Sequence, residues 1–252
     1  MWLGYSLWRQ ERAEEALAVL DRAASLDPGS GYAPYFSGCV LHSIDRSREA
    51  VPRFQRAVKL IPAFGIAWVA LGHAHTENGN LAEAAWTYER GIEFEKAQTR
   101  ATAGAEGYLA ECLRRLGRLG EARARCLTGL ESGDRTDHMY RDTYRAVCLL
   151  NLARVAWDQG DVEGARAAFA QCSLHLDGRP RTLGGGFLGC CALAGQALAS
   201  RDVEALAKGV RRLLRRDEGN WSWLFGCSRN ETVRDLTRAA EAVGRPDLVE
   251  GL

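Results

Sequence analysis

The first third of the chain repeats itself. The stretch WLG…EEALAVLDRAASLDP returns 34 residues later as YFSG…REAVPRFQRAVKLIP, and then as WVALGHAHTENGNLAEAAWTYERGIEFEK. A unit of this length holds two short helices and cannot bury an apolar face alone, so neighbouring copies must stack. Such an array has no single core to outgrow, which suits a chain of 252 residues.

The repeated marks are spaced as close helix packing demands. Small residues recur where paired helices cross, and large ones fill the gaps between turns. The first copy supplies Leu3, Gly4, Ala16, Leu20, Ala23 and Pro28; the second supplies Gly38, Ala50, Phe54, Ala57 and Pro62. The third supplies Trp68, Leu71, Gly72, Gly79, Ala84, Tyr88 and Gly91, with Lys96 where the closing Pro belongs. This pattern resembles the tetratricopeptide repeat (TPR) family, of bacterial type. The resemblance implies an all-α fold, a right-handed α-solenoid of helix–turn–helix repeats. Weaker copies follow it: Leu109, Ala110, Gly117, Ala122, Cys126 and Gly129, then Leu152, Ala153, Gly160, Ala165, Phe169 and Cys172. A sixth keeps Leu193 and Ala194 but sets Leu206 and Leu213 where small residues belong.

Two departures bear on organisation. Met1 falls at the fifth position of its unit and MWLGYSLW is strongly apolar, whereas terminal repeats carry a polar cap. The expectation is therefore a piece of a longer polypeptide. After the third copy the spacing lengthens, with unit starts at Gly65, Ala103, Ala146 and Phe187. Long-period TPRs of this kind resemble the helical sensor regions of bacterial transcriptional regulators. The expected division is three regular units over 1–96, three longer ones over 97–218, and C-terminal capping helices over 219–252. In that cap, Trp221, Trp223 and Phe225 would cover the last repeat, and Ser228 or Asn230 would start a helix reaching Val243, ended by Gly244 and Pro246.

Composition removes several function classes. Thirty-three Lys and Arg against 32 Asp and Glu leave a formal charge of +1, which speaks against a dedicated nucleic-acid binder or a polybasic membrane anchor. No run approaches the ~20 apolar residues that span a bilayer, and no basic-then-apolar leader opens the chain, so a cytoplasmic protein is expected. Lys59, Lys96 and Lys208 are the only lysines, a bias typical of GC-rich bacterial codon usage. The eight cysteines contain no CxxC pair, and Cys126 and Cys172 sit at interior positions, so reduced structural thiols are expected. No P-loop, HExxH or nucleophile elbow is present. The TLGGG run at 182–186 reads as a hinge, and Arg211, Arg212, Arg215 and Arg216 read as a solvated face. The chain is expected to need no cofactor and to hold no metal.

The TPR resemblance also implies where a ligand would lie, on the concave face formed by the first helix of each unit. Mapped onto this chain, the groove positions hold Tyr5, Trp8, Tyr32, Tyr35, Cys39, His42, Val69, His73, Thr76 and Glu77 near the N-terminus. Further along come Glu111, Arg114, Arg115, Leu150, Arg154, Trp157 and Asp158. The groove grades from aromatic to arginine-rich, which matches an extended partner with apolar anchors and an acidic or carboxylate group. The two-carboxylate clamp of chaperone-tail TPRs is absent, since Tyr35, Cys39, Val69 and His73 replace its Lys and Asn. A zinc site from Cys39, His42, His73 and Glu77 is the sharper alternative, each pair sharing a helix face. His75 falls at a packing position. The sequence thus points to a non-catalytic protein- or peptide-binding scaffold, or to the sensor segment of a larger regulator.

Overall fold

The computed structural model of the protein describes residues 1–97, 103–134, 141–177, 185–214 and 229–252. All regular structure in them is helical. The aromatics Trp221, Trp223 and Phe225, the arginines Arg215 and Arg216, Cys227 and most of the TLGGG run lie outside the described residues.

The chain forms two compact units, Met1–Arg100 and Ala101–Leu252. The first holds α1 (Trp2–Arg9), α2 (Ala13–Leu26), α3 (Tyr32–Ser43), α4 (Ser47–Leu60), α5 (Gly65–Glu77) and α6 (Leu81–Ala97). These pair as the hairpins α1/α2, α3/α4 and α5/α6, while α2 packs on α3 and α4 on α5. The second unit holds α7 (Ala103–Arg115), α8 (Leu119–Asp134), α9 (Arg141–Asp158), α10 (Val162–Asp177), α11 (Gly185–Ser200), α12 (Val203–Leu214) and α13 (Arg229–Val243). A 3₁₀ turn, Pro246–Val249, follows. Here α7/α8, α9/α10 and α11/α12 are the hairpins, and the first helices pack in succession, α7 on α9, α9 on α11 and α11 on α13.

One turn chemistry is repeated throughout. Glu11, Asp45, Gly79, Gly117, Gly160, Arg201 and Gly244 all take positive φ at the end of a first helix. The following N–H then reaches back to a carbonyl five residues earlier, as from Arg12 to Leu7, Arg46 to Leu41, Asn80 to His75, Arg118 to Leu113 and Asp161 to Ala156. This is the Schellman closure, which satisfies carbonyls that the helix end would otherwise leave open. Three second helices then open on an Arg-x-x-Glu fork, Arg12–Glu15, Arg46–Glu49 and Arg118–Glu121, each with two hydrogen bonds of 2.6–2.7 Å. In two others an aspartate caps instead: Asp161 accepts from the Gly164 N–H and Asp202 from the Ala205 N–H.

The same closure at Gly244, where the Arg245 N–H reaches the Ala240 carbonyl, gives α13 its place in the array. It packs on α11 and α12 as α11 packs on α9 and α10, so it occupies the first-helix position of a seventh hairpin. The 3₁₀ turn Pro246–Val249 follows it. The misplaced leucines of the sixth unit are resolved by this neighbour. Leu206 and Leu213 are buried in a cluster with Leu193 and Leu236 of α13. Gly209 provides the close approach, since a Cβ there would lie 3.0 Å from Leu236 Cδ2.

The longer spacing of the later units goes partly into longer helices. The second helices α2 and α4 have 14 residues, whereas α6 has 17 and α8 and α10 have 16. In α9 the helix starts at Arg141, five residues before the expected unit start at Ala146, and runs for 18 residues. Among the described residues no helix is long and apolar enough to cross a membrane.

Candidate functional site

In the first unit the first-helix residues expected to line a groove divide by burial. Tyr5 and Val69 are half-buried, Tyr32 is exposed, and the Glu77 side chain is one-third exposed. Trp8, Tyr35, His42 and His73 are buried and present almost no surface to a partner. The cause is that α1, α3 and α5 lie side by side, so bulky groups at these positions fill the seams between helices. Trp8 Nε1–H donates to Ser43 Oγ at 2.8 Å. The Tyr35 ring packs against Phe36, Phe54 and Phe64 at centroid distances of 5.2, 6.1 and 4.9 Å. His73 Nδ1 meets the Tyr88 hydroxyl at 2.9 Å.

That last contact bears on the zinc alternative, because it engages one of the four would-be ligands. Cys39 is buried, and burial pushes its thiol up to about 12, away from the thiolate a metal needs. Among the described residues no group of three or more His, Cys, Asp or Glu side chains is placed to hold a metal ion. The seven described cysteines are free and buried. Burial likewise pushes the Cys148 thiol up to about 12, and Cys126 is raised further.

Burial also sets the chemistry of His42, whose pKa is lowered to about 4, partly opposed by a hydrogen bond to the His73 backbone. Glu77 Oε2 lies 3.4 Å from His42 Nε2, but that carboxylate already accepts the Ser47 hydroxyl. The folded state therefore prefers neutral His42 more strongly than the unfolded chain does. Its contribution to stability is fully present above pH 6.5 and is lost as pH falls through 4. The melting temperature should drop across this window, and His42→Gln should flatten that part of the profile. An unchanged slope in the variant would assign the acid sensitivity elsewhere.

The second unit brings its candidates together. Glu111 and Arg114 of α7, Arg154 and Asp158 of α9, and Asp235 of α13 form one ionic chain. Arg114 forks onto Glu111 through Nε and Nη2, at 3.0 and 2.9 Å, and its Nη1 binds Asp158. Arg154 reaches Glu111 Oε2 at 3.6 Å and Asp235 Oδ2 at 2.6 Å. Burial works against ionising Glu111, yet Arg154, Arg114 and Arg115 together hold its carboxyl below the usual range. Arg115 is exposed, Trp157 is half-buried, and Leu150 is buried in the seam between helices. The expected arginine-rich stretch is thus largely neutralised from within, since Arg114 and Arg154 direct their forks at carboxylates of this same unit.

A cleft of about 60 Å³ opens beside this chain, lined by Arg114, Arg154, Trp157, Asp158, Phe169, Cys191, Ala194, Gly195, Leu198, Asp235 and Arg238. It exists because α11 turns a strip of small residues toward it. Side chains of α9 and α13 stand as walls on either side, and Phe169 of α10 reaches Gly195 so closely that a Cβ there would meet its ring at 2.1 Å. Sequence reasoning missed Phe169, Gly195, Asp235 and Arg238 as site residues, having placed the last two in a cap. The small run GCCALAG was the available signal.

Comparison with known proteins agrees with this architecture. Residues 1–31 and 43–99 match one tetratricopeptide repeat family and residues 146–171 match a second. No curated protein matches the sequence. Among solved structures, the apo form of RapI superposes with a TM-score of 0.73 at 13% identity, over 96% of this chain and 97% of that one. PilW, a type IV pilus biogenesis factor, gives 0.62 at 16% identity over 85% and 90%. The APC/C hetero-tetramer Cut9–Hcn1 gives 0.66 at 16% identity, with 98% of this chain covering 43% of the matched one. At such identities the likeness speaks for the fold alone. With helical hairpins, recurrent turns and family matches in both halves, the chain is a tetratricopeptide repeat protein, an all-α solenoid by fold.

Proposed function

We propose that this protein is a non-catalytic scaffold that binds a partner protein, or an extended peptide carrying an acidic group, on the first-helix face of its repeats. The observation that carries the reading is the face of the second unit. There charged side chains from α7, α9 and α13 surround a cleft walled in part by Trp157 and Phe169. Mixed charge around an apolar recess is what a specific and reversible interaction uses, apolar contact supplying affinity and charge fixing register. In the first unit the same role falls to the surface that remains accessible, at Tyr5, Tyr32, Val69 and Glu77.

A random-peptide display library selected against the full chain tests the reading. Selected binders should weaken at least about tenfold with Trp157→Ala or Arg115→Glu, measured by fluorescence anisotropy, while circular dichroism confirms that the variants fold. Binders indifferent to both these changes and to Tyr32→Ala would remove the first-helix face as the binding surface.

A further inference from the structure

The turns that end the first helices share one backbone closure, but one of them carries a reactive pair of residues. Among the described turns, the residue ahead of the positive-φ position is Gln, Ile, Leu, Ser or Val, except between α5 and α6. There it is Asn78, followed by Gly79, the one Asn-Gly pair in the sequence. An asparagine amide is open to attack from within its own chain. The next backbone nitrogen bonds to the side-chain Cγ, the Cγ–Nδ2 bond breaks, and ammonia leaves carrying the displaced amide proton. Water then opens the resulting five-membered succinimide at either carbonyl, giving aspartate or isoaspartate. Glycine in the second position leaves that nitrogen unshielded by any side chain.

The fold controls this reaction. Gly79 is exposed, and no described atom lies within 4 Å of where its Cβ would stand, so packing does not block the turn. Asn78 is half-buried at the end of α5, with φ −76° and ψ −1°. At that ψ the Gly79 nitrogen points away from the Asn78 side chain, and its N–H donates to the Thr76 carbonyl at 3.1 Å. The Asn78 and Asn80 N–H groups hold the Ala74 and His75 carbonyls at 3.2 and 2.9 Å. Ring closure therefore requires this turn to open, and its rate scales with the fraction of time the turn is open. The product then works against reclosure. Isoaspartate routes the main chain through the former side-chain carbon, which shifts Asn80 out of register with His75. Either product also sets a carboxylate beside Glu77 at the C-terminal end of α5, where the helix dipole disfavours negative charge.

We propose that Asn78 is a self-modification site, converted to aspartate or isoaspartate when the α5/α6 turn opens, and that its conversion loosens this hairpin. The inference stands apart from the scaffold reading. Gln159–Gly160 is its internal control. That pair ends α9 in the same way, with Gly160 at φ +80° and the Asp161 N–H on the Ala156 carbonyl at 2.9 Å. Its side chain is one carbon longer, so the ring it would close is six-membered and forms far more slowly.

The full chain, aged in mildly alkaline buffer, tests this by mass spectrometry after cleavage at Glu77 and Glu83, which releases residues 78–83. A synthetic Thr-Glu-Asn-Gly-Asn-Leu peptide gives the ungated rate. Asn78 should convert at least about tenfold more slowly in the protein than in the peptide, with Gln159 unchanged. Gly72→Val, or the milder Gly72→Ala, should speed conversion at least about fivefold by loosening the hairpin. Asn78→Gln should abolish it. Modified chains, separated by ion exchange, should lose hydrogen-exchange protection along α5 and α6 at least about tenfold while α9 and α10 keep theirs. Conversion as fast as in the peptide, a rate indifferent to both Gly72 variants, or no conversion even in them overturns the gated site. Unchanged protection in the modified chain overturns the loosening.

Discussion

Gly72→Val should destabilise the first unit by about 3 kcal/mol. A Cβ at this position would lie 2.4 Å from Tyr88 Cε1, inside any real carbon–carbon contact. The ring cannot swing away cheaply, because it is buried and its hydroxyl is held by His73 Nδ1 at 2.9 Å. Helix propensity works in the other direction, favouring Ala over Gly by about 1 kcal/mol and Val by less. For Ala the two effects partly offset, leaving a net cost of about 1–2 kcal/mol. For Val the overpacking wins clearly. Shortening the opposing side chain should recover the loss, so Gly72→Ala with Tyr88→Leu should be more stable than the sum of the single changes predicts by at least about 1 kcal/mol. Gly4 is the contrasting case. It meets Leu20 Cγ at 2.6 Å, an aliphatic side chain that no hydrogen bond pins, so Gly4→Ala should cost less. Urea unfolding followed by circular dichroism reads every one of these variants. A Gly72→Val protein within about 0.5 kcal/mol of the parent would mean the two helices do not approach as closely as described.

Arg154→Ala should cost the second unit about 2–3 kcal/mol. The guanidinium stands between Glu111 and Asp235, and the Arg154 and Glu111 side chains are only 16% and 14% exposed. Removing one member of a desolvated ion pair typically costs about 3–5 kcal/mol; here Asp235 loses its partner while Glu111 keeps the Arg114 fork. Asp235 is 34% exposed, so water screens part of the penalty and the lower figure applies. The change should also have a location. Asp235 is the ionic tie of α13 to α9, so hydrogen exchange should accelerate along Arg229–Val243 while α5 and α6 keep their protection. A double cycle with Asp235→Ala should return a coupling above about 1 kcal/mol. A coupling near zero would place the stabilisation in packing of the arginine stem instead.

The two cases mark where sequence reasoning reached and where it stopped. Gly4, Gly38 and Gly72 recur at one repeat position, opposite Leu20, Phe54 and Tyr88 sixteen residues later. The structure shows each glycine set against its partner. That pairing is legible because both members lie in one hairpin, where helical periodicity and turn length fix which faces meet. The end of the C-terminal helix, at about Val243, was legible because Gly244 and Pro246 are local stop signals. The ionic chain was not. Arg154 and Asp235 are 81 residues apart, and nothing local to either says that α11 between them is small enough for their side chains to meet across it.

The groove residues show the same division more sharply. Repeat register places Trp8, Tyr35, His42 and His73 on the first-helix face, where the structure puts their helices. Whether a residue on that face meets solvent depends on how closely the next first helix lies. Side-chain bulk then settles it, since large rings are drawn into the seam to remove apolar area from water. Sequence alone therefore determined the unit, its turns, its close glycine contacts and the family, all of which rest on interactions within about 34 residues. Only tertiary structure decided which arginines are already answered by carboxylates and that Gly195 opens a recess above Phe169. It also decided that Arg238 stands at the rim of that recess, because those facts depend on distances between helices that the repeat period does not encode.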